Sequence, residues 1–383
     1  MSVTAARGFR AAGVAAGIKA SGALDVALVV NDGPSDIAAA VFTTNRVKAA
    51  PVLWSERVIA DHRLRAVVLN SGGANACTGP DGFADTHRSA EAVAAALGVG
   101  AGEVAVCSTG LIGERLPMPA LLAGIDAAAA ALSDHGGADA AEAIRTTDSV
   151  HKQAYVTREG WTVGGMAKGA GMLAPGLATM LCVLTTDAEL DATTADQALR
   201  DATGRTFDRV DADGCMSTND TVVLLASGAS GTTPAPAEFA AALYEVCVDL
   251  AGQLLADAEG ATKEVRIEVV GAAGEADAVE VGRSIARNNL LKCALFGNDP
   301  NWGRVLAAIG TTRAAFEPDR LDVAMNGVQI CRNGAAGDDR SKVDLTGRNI
   351  HIRADLNAGE HTATVWTNDL SHGYVEENSA YSS

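Results

Sequence analysis

The chemistry in this sequence gathers on one hydroxyl. Thr179 follows the glycine-rich stretch 164–178, GGMAKGAGMLAPGLA, and opens the strand-like run TMLCVLTTD. If the loop strains the preceding peptide, a threonine there can attack the Ala178 carbonyl through its hydroxyl. The amide becomes an ester, and water then frees a new N-terminus at Thr179. The freed residue brings its own general base, because an α-amine with an unperturbed pKa of roughly 7.7–8.0 is partly neutral near physiological pH. This N-terminal-threonine arrangement of nucleophile and base asks for no histidine. On spacing alone, a threonine that merely begins an ordinary strand is the commoner case.

Other templates for catalysis or binding are absent or broken. Lys168 is followed by Gly169 and Ala170, so no G-x-x-x-x-G-K-[ST] phosphate loop forms, and no G-x-G-x-x-G follows a strand. The seven histidines show no metal-ligand spacing, and G-x-S-x-G is missing. Asp211-Ala-Asp213-Gly214 resembles half an EF-hand, but with Gly214 at the sixth position Arg209 occupies the place of the first carboxylate. Neither a metal nor an organic cofactor is expected.

The elements that must hold Thr179 follow from the apolar patterning. Short apolar runs at 25–30, 66–69, 104–107, 180–184, 222–226 and 265–270 read as strands, several buried on both faces. Helices are predicted at 84–97, ending at Gly98, at 119–132, and at 239–255, entered through Pro234-Ala-Pro236. Strand and helix alternate throughout without repeat or linker, which points to a mixed α/β body. With aromatics at 4% of the chain, the core must rest on aliphatic side chains and on small residues that allow close approach.

Bulk properties narrow the partners. A net charge of −17 argues against nucleic acid and against an anionic membrane surface. The seven cysteines are odd in number, scattered, and never in a C-x-x-C pair, as expected of thiols in a reducing compartment. The N-terminus lacks the features of a secretory signal, and no apolar stretch is expected to reach membrane-spanning length, so the cytoplasm is the expected location.

Blocks along the whole chain resemble the ornithine acetyltransferase family, also called glutamate N-acetyltransferase or ArgJ. They are GFRAAGVAAGIK at 8–19, VFTTNRVKAAPV at 41–52, LNSGGANACTG at 69–79, STG at 108–110, AKGAGMLAPGLATMLCVLTTDA at 167–188, DADGCMSTNDT at 211–221, EGATK at 259–263, GNDPNWGRVLAAIG at 297–310, and the terminal ENSAYSS. The resemblance implies a layered sandwich of sheets between helices, of the N-terminal-nucleophile type, with a smaller C-terminal lobe. It implies cleavage between Ala178 and Thr179, an α chain of 1–178 and a β chain of 179–383, both in one catalytic body, and a heterotetramer of two of each. The activity it implies is transfer of an acetyl group from N2-acetylornithine to glutamate. Acetyl-CoA as a further donor stays open, as does a related self-cleaving aminopeptidase.

Carried over residue by residue, the resemblance implies Thr179 as nucleophile and Thr109 with Gly110 as the oxyanion hole. Substrate contacts are implied for Thr146, Lys168, Thr179, Glu259, Asn378 and Ser383. Thr146 is chosen over its neighbour Thr147, and the following stretch, 148–160, is read as a loop. Lys168 suits a carboxylate and Glu259 an ammonium. Without the family each has a plainer reading: a turn for Thr109-Gly110, a solvated lysine, a helix end at Glu259, and a frayed tail. In GNDPNWGR, strong turn chemistry favours a structural role for Arg304.

Overall fold

The computed structural model describes residues 2–174 and 180–380. Its strands are β1 (Phe9–Val14), β2 (Val26–Asn31), β3 (Ile37–Phe42), β4 (Ala66–Asn70), β5 (Val104–Ser108), β6 (Lys152–Arg158), β7 (Trp161–Lys168), β8 (Leu181–Thr186), β9 (Thr221–Ala226), β10 (Glu264–Ala272), β11 (Asp322–Met325), β12 (Val328–Arg332), β13 (Ala335–Ala336), β14 (Asn349–Asp355) and β15 (His361–Asn368). Its helices are α1 (Ala50–Val58), α2 (Gly79–Leu97), α3 (Met118–Ala130), α4 (Gly137–Ala143), α5 (Ala192–Arg205), α6 (Pro236–Ala256), α7 (Glu275–Ala286), α8 (Asn289–Phe296), α9 (Trp302–Ile309) and α10 (His372–Ala380).

Two sheets pack face to face. One runs β1-β2-β4-β5 and the other β3-β9-β8-β7-β6. Because side chains alternate along a strand, a strand buried on both faces must feed two cores. β2 does so: Ala27 and Val29 join Val183, Val223 and Leu225 between the sheets, while Val26, Leu28 and Val30 meet Val93, Leu121 and Ile125 of α2 and α3. On the far side, Cys182, Leu184, Val222 and Leu224 pack on Leu199 of α5 and on Phe239, Leu243, Val246 and Leu250 of α6. The outcome is a helix–sheet–sheet–helix sandwich, the layered mixed α/β architecture that the resemblance implied.

The C-terminal lobe is a third sheet, β13-β12-β11-β14-β10-β15. Val265, Ile267 and Val269 of β10 join Ile350, Ile352 and Ala354 of β14 in a separate core under α7, α8 and α9. In GNDPNWGR the Asn301 side chain caps α9 by accepting the Arg304 N–H at 3.2 Å, and the Arg304 guanidinium donates to the Leu290 carbonyl.

Three expectations need correction. The stretch from 164 is not all loop, since residues 164–168 complete β7. Gly164 and Gly165 serve close packing there: a Cβ would lie 2.3 Å from the Ser2 carbonyl oxygen at the first and 2.8 Å from Leu184 at the second. The stretch 148–160, read as loop, contains β6, whose Lys152, Ala154 and Val156 are buried in alternation. A lysine at a core position hid that period. Finally, α6 is long and apolar enough to cross a membrane by length and composition; here its apolar face is accounted for by burial against the β3-β9-β8-β7-β6 sheet.

Candidate active site

Lys168 ends β7 and is 2% exposed. Its Nζ donates to the Thr146 hydroxyl at 2.6 Å and to the Thr109 hydroxyl at 3.3 Å. Thr109 follows β5 and is itself held, its N–H donating to the Asn70 carbonyl at 3.0 Å. With an oxygen lone pair engaged by an ammonium, the Thr109 hydroxyl proton is turned elsewhere and is ready to donate. Gly110 comes next with φ +132°, and a Cβ there would lie 2.7 Å from the Gly73 nitrogen. Its N–H donates to no acceptor among the described residues. Thr109 and Gly110 thus offer adjacent O–H and N–H donors on one wall.

The opposite wall carries the negative charge. Glu259, 8% exposed just beyond α6, has its N–H on the Ala170 carbonyl at 3.0 Å. One carboxylate oxygen accepts the Thr147 hydroxyl at 2.7 Å and the other the Asn378 amide at 2.9 Å. Thr146 and Thr147 therefore face opposite partners, lysine and glutamate. The cleft between, of about 80 Å³, is lined by Thr109, Gly110, Thr146, Thr147, Lys168 and Asn378, with Glu259 at one side and Ile112 and Met172 as its apolar rim.

Behind the cleft lies a buried charge network. Asp148 accepts the Lys152 ammonium at 2.7 Å and the N–H groups of Gly169 at 2.6 Å and Thr146 at 3.0 Å. Lys152, with no exposed surface, also reaches Asp257 at 2.6 Å. Burial pushes the Asp148 carboxyl up, but the nearby Lys168 and Lys152 charges and their hydrogen bonds overcome it and hold it below its ordinary value. For Lys168, burial is the largest influence and lowers the ammonium from its usual range, opposed first by Asp148.

Of the residues singled out in the sequence, Thr109, Gly110, Thr146, Lys168, Glu259 and Asn378 are brought together. Ala178, Thr179 and Ser383 lie outside the described residues. Thr147, passed over for Thr146, lines the same cleft, and Asp148 and Lys152 were missed. Their signal was a pair of opposite charges four apart beside the Thr-Thr pair, unremarkable in a chain where 20% of residues are charged. A larger cleft, about 690 Å³, lies beside α7, but its Arg209 is already paired with Glu275 at 2.8 Å.

A layered α/β body thus carries a cleft that sets hydroxyl and amide donors beside a lysine and across from a carboxylate, with a partner for either sign of charge. The model of the ArgJ family matches residues 10–383. The chain belongs to that family. It is 69% identical over 383 residues, all of both chains, to the arginine biosynthesis bifunctional protein ArgJ of Streptomyces coelicolor. It is 66% identical over 382 residues, again 100% of each, to the protein of that name in Thermobifida fusca. Among solved structures, ornithine acetyltransferase of Mycobacterium tuberculosis, complexed with ornithine, is 64% identical; the match covers 47% of this chain and 96% of that one at a TM-score of 0.45.

Proposed function

We propose that this chain is a glutamate N-acetyltransferase of arginine biosynthesis, moving an acetyl group from N2-acetylornithine to glutamate through an ester on Thr179. The observation that carries this reading is the cleft itself. In a chain of this family, paired donors at Thr109 and Gly110 stand beside Lys168 and across from a carboxylate at Glu259, at the end of β7 from which the chain runs on to Thr179.

Maturation comes first. The Thr179 hydroxyl adds to the Ala178 carbonyl, the C–N bond breaks, and the hydroxyl proton ends on the departing nitrogen. Water then hydrolyses the ester to an Ala178 carboxylate and restores the Thr179 hydroxyl beside the amine already freed. In turnover, that amine takes the hydroxyl proton as the oxygen attacks the acetyl carbonyl, and Thr109 and Gly110 stabilise the oxyanion. The C–N bond to ornithine breaks and the amine returns the proton to the leaving nitrogen. Glutamate then attacks the ester through its own amine, giving N-acetylglutamate and restoring Thr179. Glu259 receives the substrate ammonium, with Thr147 and Asn378 fixing its oxygens, and Ser383 completes the site from the tail. Lys168 serves the substrate carboxylate side and aligns Thr109 and Thr146.

Residues 1–178 and 179–383 stay together as one body, because β7 pairs with β8 and β3 with β9 across the cut. Assembly as two of each fragment rests on the family resemblance. A cytoplasmic setting accords with seven free cysteines. The test is mass spectrometry of the pure protein after exposure to N2-acetylornithine alone. A fragment beginning Thr-Met-Leu and heavier by one acetyl group is expected, returning to its free mass when glutamate is added. Finding no chain with that N-terminus overturns the reading.

The word bifunctional in the relatives' name favours a second donor, acetyl-CoA. Formation of N-acetylglutamate from acetyl-CoA and glutamate without N2-acetylornithine is the measurement that decides it. Gly110→Ala is expected to lower kcat on the order of 100-fold or more, since the added Cβ must displace the backbone at Gly73 and carry the N–H away from the oxyanion. Unchanged kcat in a folded Gly110→Ala protein removes Gly110 from the oxyanion hole.

A further inference from the structure

Asp220 is fully buried beside the start of β8, and the mechanism above makes no use of it. Its Oδ1 accepts the Met180 N–H at 3.0 Å, while the Met180 carbonyl accepts the Thr221 N–H at 3.1 Å. Met180 is pinned on both sides, and its nitrogen is bonded to the carbonyl carbon of Thr179. The neighbouring Asn219 reaches the other wall: its amide donates to the Ala74 carbonyl at 2.6 Å and to the Ser108 carbonyl at 2.8 Å. Ser108 immediately precedes Thr109. Two consecutive side chains, Asn219 and Asp220, therefore span from the donor wall to the residue that follows the nucleophile.

From this geometry we propose that Asp220 is a positioning residue for Thr179, acting through the Met180 N–H and, with Asn219, setting the nucleophile against Thr109 and Gly110 for both self-cleavage and acetyl transfer. The proposal rests on Thr179 being the nucleophile.

The form of the side chain follows from its surroundings. Burial pushes the Asp220 carboxyl well above its ordinary value, outweighing the Met180 N–H and the charge of Lys168. Oδ2 is buried without a hydrogen bond of good geometry among the described residues, although the Ser217 and Thr43 hydroxyls stand near enough to favour the charged form. The Thr43 hydroxyl proton is already given to the Ser217 carbonyl at 2.7 Å. Asparagine keeps the acceptor that this geometry uses, its carbonyl oxygen taking the same Met180 N–H.

The test compares wild type, Thr179→Ala, Asp220→Ala and Asp220→Asn for the time course of self-cleavage on denaturing gels and for kcat and KM. Asp220→Ala is expected to slow cleavage and kcat on the order of 100-fold with KM changed by less than about threefold, as for a displaced nucleophile rather than a lost substrate contact. Asp220→Asn is expected to restore both rates to within about tenfold of wild type. Asp220→Ala cleaving and turning over like wild type overturns the proposal. So does an Asp220→Asn protein that is folded by circular dichroism but uncut, and this arm decides the matter if the alanine variant fails to fold. In both cases a cut, active wild type beside an inert Thr179→Ala leaves the Thr179 reading standing. An active but uncut wild type overturns that reading and this proposal with it.

Discussion

A Thr179→Ala chain is expected to run as one uncut band on a denaturing gel and to take up no acetyl group from N2-acetylornithine. Alanine removes the oxygen that would attack the Ala178 carbonyl, so no ester forms and no free amine appears at position 179. Nucleophile and base are then lost together. Removing a nucleophile whose base acts on it alone costs on the order of 10⁴-fold or more, the remainder coming from binding and oxyanion stabilisation. Thr179→Ser keeps both functional groups and is expected to cleave and transfer within roughly tenfold of wild type, since the chemistry needs a hydroxyl on the residue that carries the amine. Gel electrophoresis with an ornithine-release assay reads both outcomes. A cut and active Thr179→Ala protein places the nucleophile elsewhere.

How much of this could be read from the chain depended on the physical signal each residue carries. β2, β4, β5, β8 and β9 stood out because strands buried on both faces are continuous apolar runs, and these are such strands in the structure. The end of β7 was hidden because glycine signals a turn and a tight packing contact by the same letter; Gly165 lies against Leu184 and Leu250, a contact that needs the sheet and α6 already assembled. β6 was missed because Lys152 breaks the apolar alternation, and its partner Asp257 is 105 residues away.

The site was legible in a different manner. Thr109, Thr146, Lys168, Glu259 and Asn378 are separated by up to 269 residues in sequence, and nothing local to any of them announces chemistry; only the family resemblance brought them together, Thr146 by its place upstream of Lys168 rather than by a matching block. The structure then supplied what such blocks lack. Thr147, set aside in favour of its neighbour, is the hydroxyl that reaches Glu259, whereas Thr146 belongs to Lys168. Adjacent residues with opposite partners cannot be told apart by sequence position, because which one faces which wall is set by the turn that precedes β6.

The buried charges behind the cleft lead to the largest expected effect on stability. Lys152→Met should destabilise the fold by about 3 kcal/mol, because removing one member of a buried ion pair strands the other and costs about 3–5 kcal/mol. The lower end applies, since Lys168 remains 3.9 Å from Asp148 and Asp257 is partly exposed to water. The dependence on pH has a definite sign. Asp148 is held below its ordinary 3.8, so the native state binds fewer protons there than the unfolded chain does. Its contribution is complete above about pH 4 and is withdrawn as pH falls toward the depressed native value. The gap between wild type and Lys152→Met is therefore widest near neutrality and narrows on acidification. Urea unfolding from about pH 7 to about pH 3 measures it, with both proteins carrying Thr179→Ala so that unfolding stays within one chain. A gap that widens on acidification contradicts the assignment of Asp148 as the group left stranded. Because Asp148 also holds the Gly169 N–H, where the chain leaves β7 toward Thr179, the same substitution in the cleaving protein should slow maturation as well as weaken the fold.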